Sequence, residues 1–435
     1  MACEYSPATF TRLESLLYSF RWVQCQFESL RRCPRSEYHT ERCLDTLPRT
    51  LDETYERILI NIDPDFVAEA KRILTLLCFS LHPMTFVELR DGIAMDIGET
   101  PRLDITKRFQ DENDILKICP GLVDIHSESS EADDDENELI YFEIAHFSVQ
   151  EYLESDRLKT QGVIQFAMDW EEAHAEIAMI FLAYLLELRG WDLSPTALDS
   201  DYPMARVAAR SWNFHYEIAE CQRPQLQKLV LEIFDDRRNL FLKLGKLHYE
   251  FRLGDGSPEY CASYLGLPEV LEGLLCRHSS GQERPNAIVA RKLNVYQFSN
   301  ALEAAISQKH PDVVEILLHH KCEFGDQSAF FGKVLHLAVT NGDLRSARLL
   351  LDNGANVNNR AGSFAETSPL HAAALEGDEG MVKFLLEFGA EIDATNRFGK
   401  SALMEAREFP DVVELLLARG AKREEPIRSS SDEVA

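Results

Sequence analysis

Ser368-Pro369-Leu370-His371-Ala372-Ala373 decides how this chain reads, because the chain repeats it. Upstream stands Val334-Leu335-His336-Leu337-Ala338, and before that Asn300-Ala301-Leu302-Glu303-Ala304-Ala305. Downstream stands Ser401-Ala402-Leu403-Met404-Glu405-Ala406. The leucines at 302, 335, 370 and 403 are 33, 35 and 33 residues apart. Each unit closes with a second apolar run and a glycine turn: Leu349-Leu350-Leu351-Asp352-Asn353-Gly354-Ala355, Phe384-Leu385-Leu386-Glu387-Phe388-Gly389-Ala390 and Leu415-Leu416-Leu417-Ala418-Arg419-Gly420-Ala421. The glycine supplies the positive φ that ends a second helix. Such a unit cannot bury its own apolar face, so several must stack.

A period near 33 with a T-P-L-H-x-A core resembles the ankyrin repeat. Four units are clear, and a fifth starts at Ser257-Pro258-Glu259-Tyr260-Cys261-Ala262-Ser263 and ends at Leu274-Leu275. A longer connection follows it, Ser279 to Phe298, and the last unit is short around Glu408-Phe409-Pro410. The resemblance implies a solenoid over 251–425 that binds another protein through its hairpin tips and the inner faces of its first helices. The tip candidates are Phe331, Lys333, Phe364, Glu366, Arg397, Phe398 and Lys400, with Leu375 and Glu376 at a helix end. Aromatic and arginine side chains are the usual anchors of such interfaces.

The 435 residues suggest about three domains. An apolar fraction of 45% is that of a globular protein. A net charge of −28 repels phosphate backbones and anionic lipid, which argues against nucleic-acid and membrane partners. The start lacks a signal-peptide pattern, Ile177 to Leu186 is too short to cross a bilayer, and no N-x-[ST] sequon occurs. Ten cysteines are scattered without a C-x-x-C pair. Together these features predict a cytoplasmic, reduced protein. Cys25, Cys33, His39 and Cys43 do not have a zinc-site spacing and read as free residues.

Thr50-Leu51-Asp52-Glu53 and Thr85-Phe86-Val87-Glu88 are capping boxes at the heads of helices. Another helix runs through Phe66, Ala70, Ile73, Leu74 and Leu77. Gly121 to Ile125 and Leu139 to Ile144 read as strands joined by an acidic loop. Three helices and a hairpin are the order of a winged helix. Leu47-Pro48-Arg49-Thr50-Leu51-Asp52-Glu53-Thr54-Tyr55-Glu56-Arg57-Ile58-Leu59, Ile118-Cys119-Pro120-Gly121-Leu122-Val123 and His146-Phe147-Ser148-Val149-Gln150-Glu151-Tyr152-Leu153 resemble the segment after the NACHT nucleotide-binding domain of filamentous-fungal NLR-like proteins. That segment is a winged helix of the GPI inositol-deacylase type, a label that implies no deacylase activity. Phe20 to Gln26 is similar to the helix before it, and Tyr202 to Trp212 to a bridge into ankyrin repeats. The resemblance implies a helical remnant at 1–46, a winged helix at 47–160, a helical bridge at 161–250, the repeats, and a disordered tail at 426–435. A full member carries a P-loop and a Mg²⁺-binding aspartate well before Phe20, which this chain lacks. The chain is therefore expected to be a truncated paralogue or a shortened gene model.

Three stretches imitate chemistry. Ala394-Thr395-Asn396-Arg397-Phe398-Gly399-Lys400-Ser401 fits a relaxed P-loop pattern but falls in phase with the repeat, where Gly399 takes a turn. His146 and Ser148 suggest a nucleophile and its base, but Ser148-Val149-Gln150-Glu151 is also a capping box, which predicts that Ser148 accepts a helix N–H. The acidic run Glu128, Glu131, Asp133, Asp134, Asp135, Glu136 and Glu138 lacks the glycine and ligand alternation of a calcium loop. His336 and His371 are expected to bond turn backbone between repeats. A DNA-reading winged helix would meet phosphate with Glu88, Asp91 and the acidic wing, beside a lone Arg90.

The mainly α architecture therefore predicts a non-enzymatic interaction protein without cofactor or metal: the sensor and relay arm of an NLR-like protein, with a protein partner on its repeats and possibly a NACHT-type NTPase as another. The alternatives are a C-terminal fragment of such an NTPase and a winged-helix DNA-binding regulator.

Overall fold

The computed structural model describes residue 22 and residues 47–98, 100–128, 139–158, 162–188, 200–234, 257–279, 295–320, 327–360 and 367–423. The chain divides into two compact units, Met1–Phe251 and Arg252–Ala435.

The first unit opens with α1 (Leu51–Ile60). Thr50 Oγ accepts the Glu53 N–H at 3.1 Å, while the Glu53 carboxylate reaches back to the Arg49 N–H at 2.6 Å. Helix α2 (Val67–Phe79) buries Ala70, Ile73, Leu74 and Leu76. Strand β1 (Met84–Thr85) leads into α3 (Phe86–Ala94), whose capping box is complete. Thr85 Oγ accepts from Glu88 N–H at 3.4 Å, and Glu88 accepts from Thr85 N–H at 2.7 Å. Gly92 keeps α3 tight on α2, since a Cβ there would lie 2.8 Å from Leu76 Cδ1. The wing is β4 (Val123–Glu128) against β5 (Leu139–Ile144). β5 lies between β1 and β4, antiparallel to both, with Phe142 opposite Met84 on one side and Ile125 on the other. Phe142 is fully buried, as an inward residue of a central strand should be.

Between α3 and the wing the structure inserts a ribbon, β2 (Met95–Asp96) with β3 (Arg102–Leu103), and a helix, α4 (Glu112–Ile118). The helix that feeds the wing is therefore α4, not α3. Asp91, expected on a solvent-facing recognition surface, is instead 0% exposed. Arg108 grips it with Nε 2.7 Å from Oδ1 and Nη2 2.8 Å from Oδ2. Tyr184 donates its hydroxyl to Oδ2 at 2.6 Å. Ion pairing and hydrogen bonding together offset the cost of burying the charge.

Tyr184 belongs to α6 (Trp170–Glu187), which follows α5 (Phe147–Glu154). Almost every residue of α6 from Ala173 to Leu185 is buried, so its apolar character runs round the whole helix rather than along one stripe. It packs against α7 (Ala205–Ile218) and α8 (Arg223–Phe234). Arg72 of α2 also holds it, with Nε 3.1 Å from the Glu176 carboxylate. The segment expected to bridge two domains thus shares a core with the winged helix.

The second unit is a stack of helix pairs: α9 (Pro258–Tyr264) with α10 (Pro268–Ser279), α11 (Val295–Ser307) with α12 (Pro311–His319), α13 (Gln327–Thr340) with α14 (Leu344–Asp352), α15 (Pro369–Leu375) with α16 (Glu379–Glu387), and α17 (Ala402–Glu405) with α18 (Pro410–Ala418). Their shared core is built from Leu302, Leu335, Leu370, Leu317, Leu350 and Leu385. The turns inside the pairs show what each sequence allows. Gly266, Gly342 and Gly377 sit at φ of 68°, 68° and 71°, and Lys309 occupies the same place in the second unit at φ 62°. It is the one non-glycine with positive φ among the described residues. Asp343 and Asp378 then cap α14 and α16, accepting N–H bonds at 3.0 and 2.9 Å.

Candidate functional site

The hairpin before α17 presents the most exposed aromatic among the large apolar residues described, Phe398 at 62%. Asn396, itself buried, organises the turn. Its Oδ1 accepts the Phe398 N–H at 2.9 Å and the Lys400 N–H at 3.0 Å. Gly399 N–H bonds to Asn396 carbonyl at 3.0 Å, and Asn396 N–H to Lys400 carbonyl at 2.9 Å. Asn396 Nδ2 donates to Glu405 at 3.1 Å, which ties the turn to its own helix. The three N–H groups that a P-loop would aim at phosphate are therefore spent inside the turn, as the repeat phase implies.

His371 joins this turn to the preceding unit. Its Nε2 lies 3.0 Å from the Lys400 carbonyl, and its Nδ1 lies 2.7 Å from Ser368 Oγ. The carbonyl can only accept, so Nε2 carries the proton and Ser368 donates to Nδ1. Burial lowers the His371 pKa; the Lys400 carbonyl and Glu405 oppose that shift, and the nearby Arg360 guanidinium adds to it. His336, expected to meet backbone, reaches Thr367 Oγ1 of the next unit at 3.1 Å instead.

The remaining candidates divide. Arg397 and Lys400 are exposed on the same turn as Phe398, and Lys400 Nζ is 3.6 Å from Glu405. Leu375, 55% exposed, and Glu376 end α15. Lys333 is exposed and paired with Glu303 of the preceding unit at 2.7 Å. Phe331 is corrected: it is 5% exposed, because α13 starts at Gln327 and carries Phe331 into the buried stripe of Val334, Leu335 and Ala338. Phe364 and Glu366 lie outside the described residues, as do Cys25, Cys33, His39, Cys43 and most of the acidic wing.

The first unit corrects the reading of Ser148. His146, not Ser148, caps α5, its Nδ1 accepting the Ser148 N–H at 3.2 Å. Ser148 Oγ lies 2.7 Å from that Nδ1 and 2.8 Å from Tyr55 OH. With Nδ1 acting as an acceptor, the serine donates to it and Tyr55 donates to the serine. The side chain is 4% exposed and engaged on both sides, which suits a core bond between α1 and α5. A cavity of about 420 Å³ adjoins it, lined by Asp52, Tyr152 and Arg157 among others. Burial raises the Cys78 thiol and pushes Cys119 up to about 12, so neither is poised as a thiolate. Among the described residues no three His, Cys, Asp or Glu side chains are grouped to hold a metal ion, and no helix is long and apolar enough to cross a membrane.

Sequence reasoning missed Arg360 beside His371, and it missed a buried imidazole pair. His174 and His215 meet Nδ1 to Nδ1 at 2.7 Å, inside a shell of Phe79, Trp170, Phe181 and Phe214. Both rings lie on helices whose inward faces are largely apolar, so no local motif marks them.

Comparison with known proteins agrees with this architecture. Residues 55–168 match the GPI inositol-deacylase winged helix domain, and residues 258–361 and 335–425 match ankyrin repeats. The chain is a winged-helix and ankyrin-repeat protein, the winged helix being of the GPI inositol-deacylase type. It is similar to azaphilone pigments biosynthesis cluster protein L of Monascus ruber, 37% identical over 305 residues, which cover 65% of this chain and 62% of that protein. Its repeats are similar to ankyrin repeat and SOCS box protein 11 of Homo sapiens, 31% identical over 121 residues, 28% of this chain and 36% of that one. They are also similar to a probable E3 ubiquitin-protein ligase, XBOS32, of Oryza sativa, 38% identical over 88 residues, 20% and 18% of the two chains. The chain thus spans less than two thirds of each of these relatives.

Proposed function

We propose that this protein is a non-enzymatic interaction protein of the cytoplasm, the sensor and relay arm of an NLR-like signalling system, which binds a protein partner through its repeat array. The observation that carries this reading is the rigid turn that holds Phe398 out to solvent between two exposed cations. Repeat arrays use such tips for binding, and one relative of this chain, ankyrin repeat and SOCS box protein 11, is by its name an ankyrin-repeat protein. The winged helix would serve as a relay rather than a DNA reader: α4, the helix before the wing, carries Glu112 and Asp114 against Lys117, in a chain of net charge −28. A nucleotide-binding switch of the NACHT type would then act on the winged-helix unit. Titration with fluorescent ATP and GTP analogues in Mg²⁺ tests the adaptor reading. The expected result is no binding; micromolar binding lost in Lys400→Ala would make the hairpin a phosphate site and refute it.

A further inference from the structure

Two aromatic rings of the first unit stand partly in water, and they belong to one cluster. Trp170, the first residue of α6, is 50% exposed, and Phe214 of α7 is 37% exposed. Both border the buried His174 ring, their centroids 4.4 and 5.6 Å from it. Trp170 also stands edge-on to Phe79 at 5.6 Å, so packing fixes its inner side, while its indole N–H meets no acceptor among the described residues. A fixed aromatic loses little freedom on binding, which suits it to anchor an interface. The rim around the two rings is acidic. Residues 169–176 hold Asp169, Glu171, Glu172 and Glu176 without a Lys or Arg, and residues 214–222 add Glu217 and Glu220, again without one. The Glu171 carboxylate accepts the Cys221 N–H, which brings the acidic first turn of α6 to Glu220. Glu217 follows Phe214 by three positions, on the same face of α7. Asp169 is used in capping α6, and Glu176 in pairing with Arg72. Glu172, Glu217 and Glu220 are exposed and have no ion-pair partner among the described residues. The cations beside them are already engaged: Arg223 lies 4.9 Å over the Tyr216 ring and donates to the Glu217 carbonyl at 2.7 Å, and Arg210, one turn before Phe214, has its own partner. A rigid indole among unpaired carboxylates matches an apolar side chain flanked by Lys or Arg, whose charge also suits the ring face.

We propose that this face docks a basic segment of a protein partner, with an apolar side chain against Trp170 and Phe214 and Lys or Arg side chains on Glu172, Glu217 and Glu220. The face lies wholly within the first unit, apart from the repeat array, so its failure leaves the repeat reading standing. The test uses the full chain and three short fluorescein-labelled peptides of equal length: one of Lys and Leu, one of Gln and Leu, and one of Glu and Leu. Fluorescence anisotropy should show binding of the basic peptide alone, weakened about tenfold by Trp170→Ala and also by Phe214→Ala. Glu217→Lys and Glu220→Lys should each weaken it about three- to fivefold. These two reversals lie at exposed positions, so they carry the test even if Trp170→Ala unfolds. Glu414→Lys, exposed on α18 of the repeat array, should leave binding unchanged. Basic-peptide binding that ignores Trp170, Glu217 and Glu220 overturns the proposal, and its loss in Glu414→Lys would seat the peptide on the repeats instead. Trp170-dependent binding of the neutral or acidic peptide overturns the basic class. If phosphatidylcholine vesicles bind through Trp170 in place of the basic peptide, the face is a lipid contact and the proposal fails. If no peptide binds, the proposal falls.

Discussion

Lys309 stands where three other repeat units carry glycine, and replacing it should stabilise the array. At φ 62° its Cβ crowds the backbone, a conformation that costs an L-residue about 1–2 kcal/mol. The Lys309→Gly change removes that cost and adds back roughly 0.5–1 kcal/mol of unfolded-chain entropy. The side chain is exposed, and the backbone bond from Lys309 N–H to Ile306 carbonyl survives the change. The net expectation is about 0.5–1 kcal/mol of added stability. The neighbouring turns calibrate it. Gly342→Ala meets nothing nearer than Asp378 at 3.6 Å, so it should cost the backbone term alone. Gly377→Ala would put its Cβ 2.3 Å from the Phe409 ring, so its cost should exceed that of Gly342→Ala. Because neighbouring repeats couple mainly pairwise, the effect should be local. Hydrogen exchange over α11 and α12 reads it directly, with urea unfolding by circular dichroism as the second measure. Slower exchange in Lys309→Gly and faster exchange in Gly342→Ala are expected. If Lys309→Gly destabilises the chain while Gly342→Ala is neutral, the φ argument is wrong.

Asp91→Ala leaves Arg108 and Tyr184 facing an emptied pocket; it should destabilise the first unit by about 3–5 kcal/mol, visible as an earlier urea transition. Asp91→Ala at wild-type stability would mean that the pair contributes nothing. The imidazole pair makes the same unit acid-sensitive. Burial pushes His215 down to about 3, with His174 adding to the shift, and burial lowers His174 itself. A lowered base is neutral in the fold, so its stabilising effect is complete above the ordinary value near 6.5 and is lost as pH falls from there towards 3. Between pH 7 and 5 the loss from His215 should be about 2 kcal/mol, and His215→Gln should flatten that slope in urea titrations at each pH.

Much of the repeat half was legible because its rules are local. The glycines, the leucine spacing and the turn residues each act within a few positions of themselves. The wing was legible for the same reason, through strand alternation at Leu139 to Ile144. What escaped was set by distant partners. Asp91 reads as surface until Arg108 and Tyr184, 17 and 93 residues away, arrive to bury it. Ser148 reads as a cap until Tyr55 claims its hydroxyl. Helix α4 escaped because its seven residues bury only Ile115 and Ile118, too short a stripe to show a period. At the candidate surface, Phe398, Arg397 and Lys400 followed from the repeat phase alone. Phe331 did not, since the phase says nothing about how far upstream a first helix extends.

The clamp on Asp91 also limits how this protein can move. To part α6 from α3, a carboxylate and a phenol would have to lose each other inside an apolar layer, without water to take over. Such a joint resists shear and bending alike, so the winged helix and α6 should turn as one stiff lever.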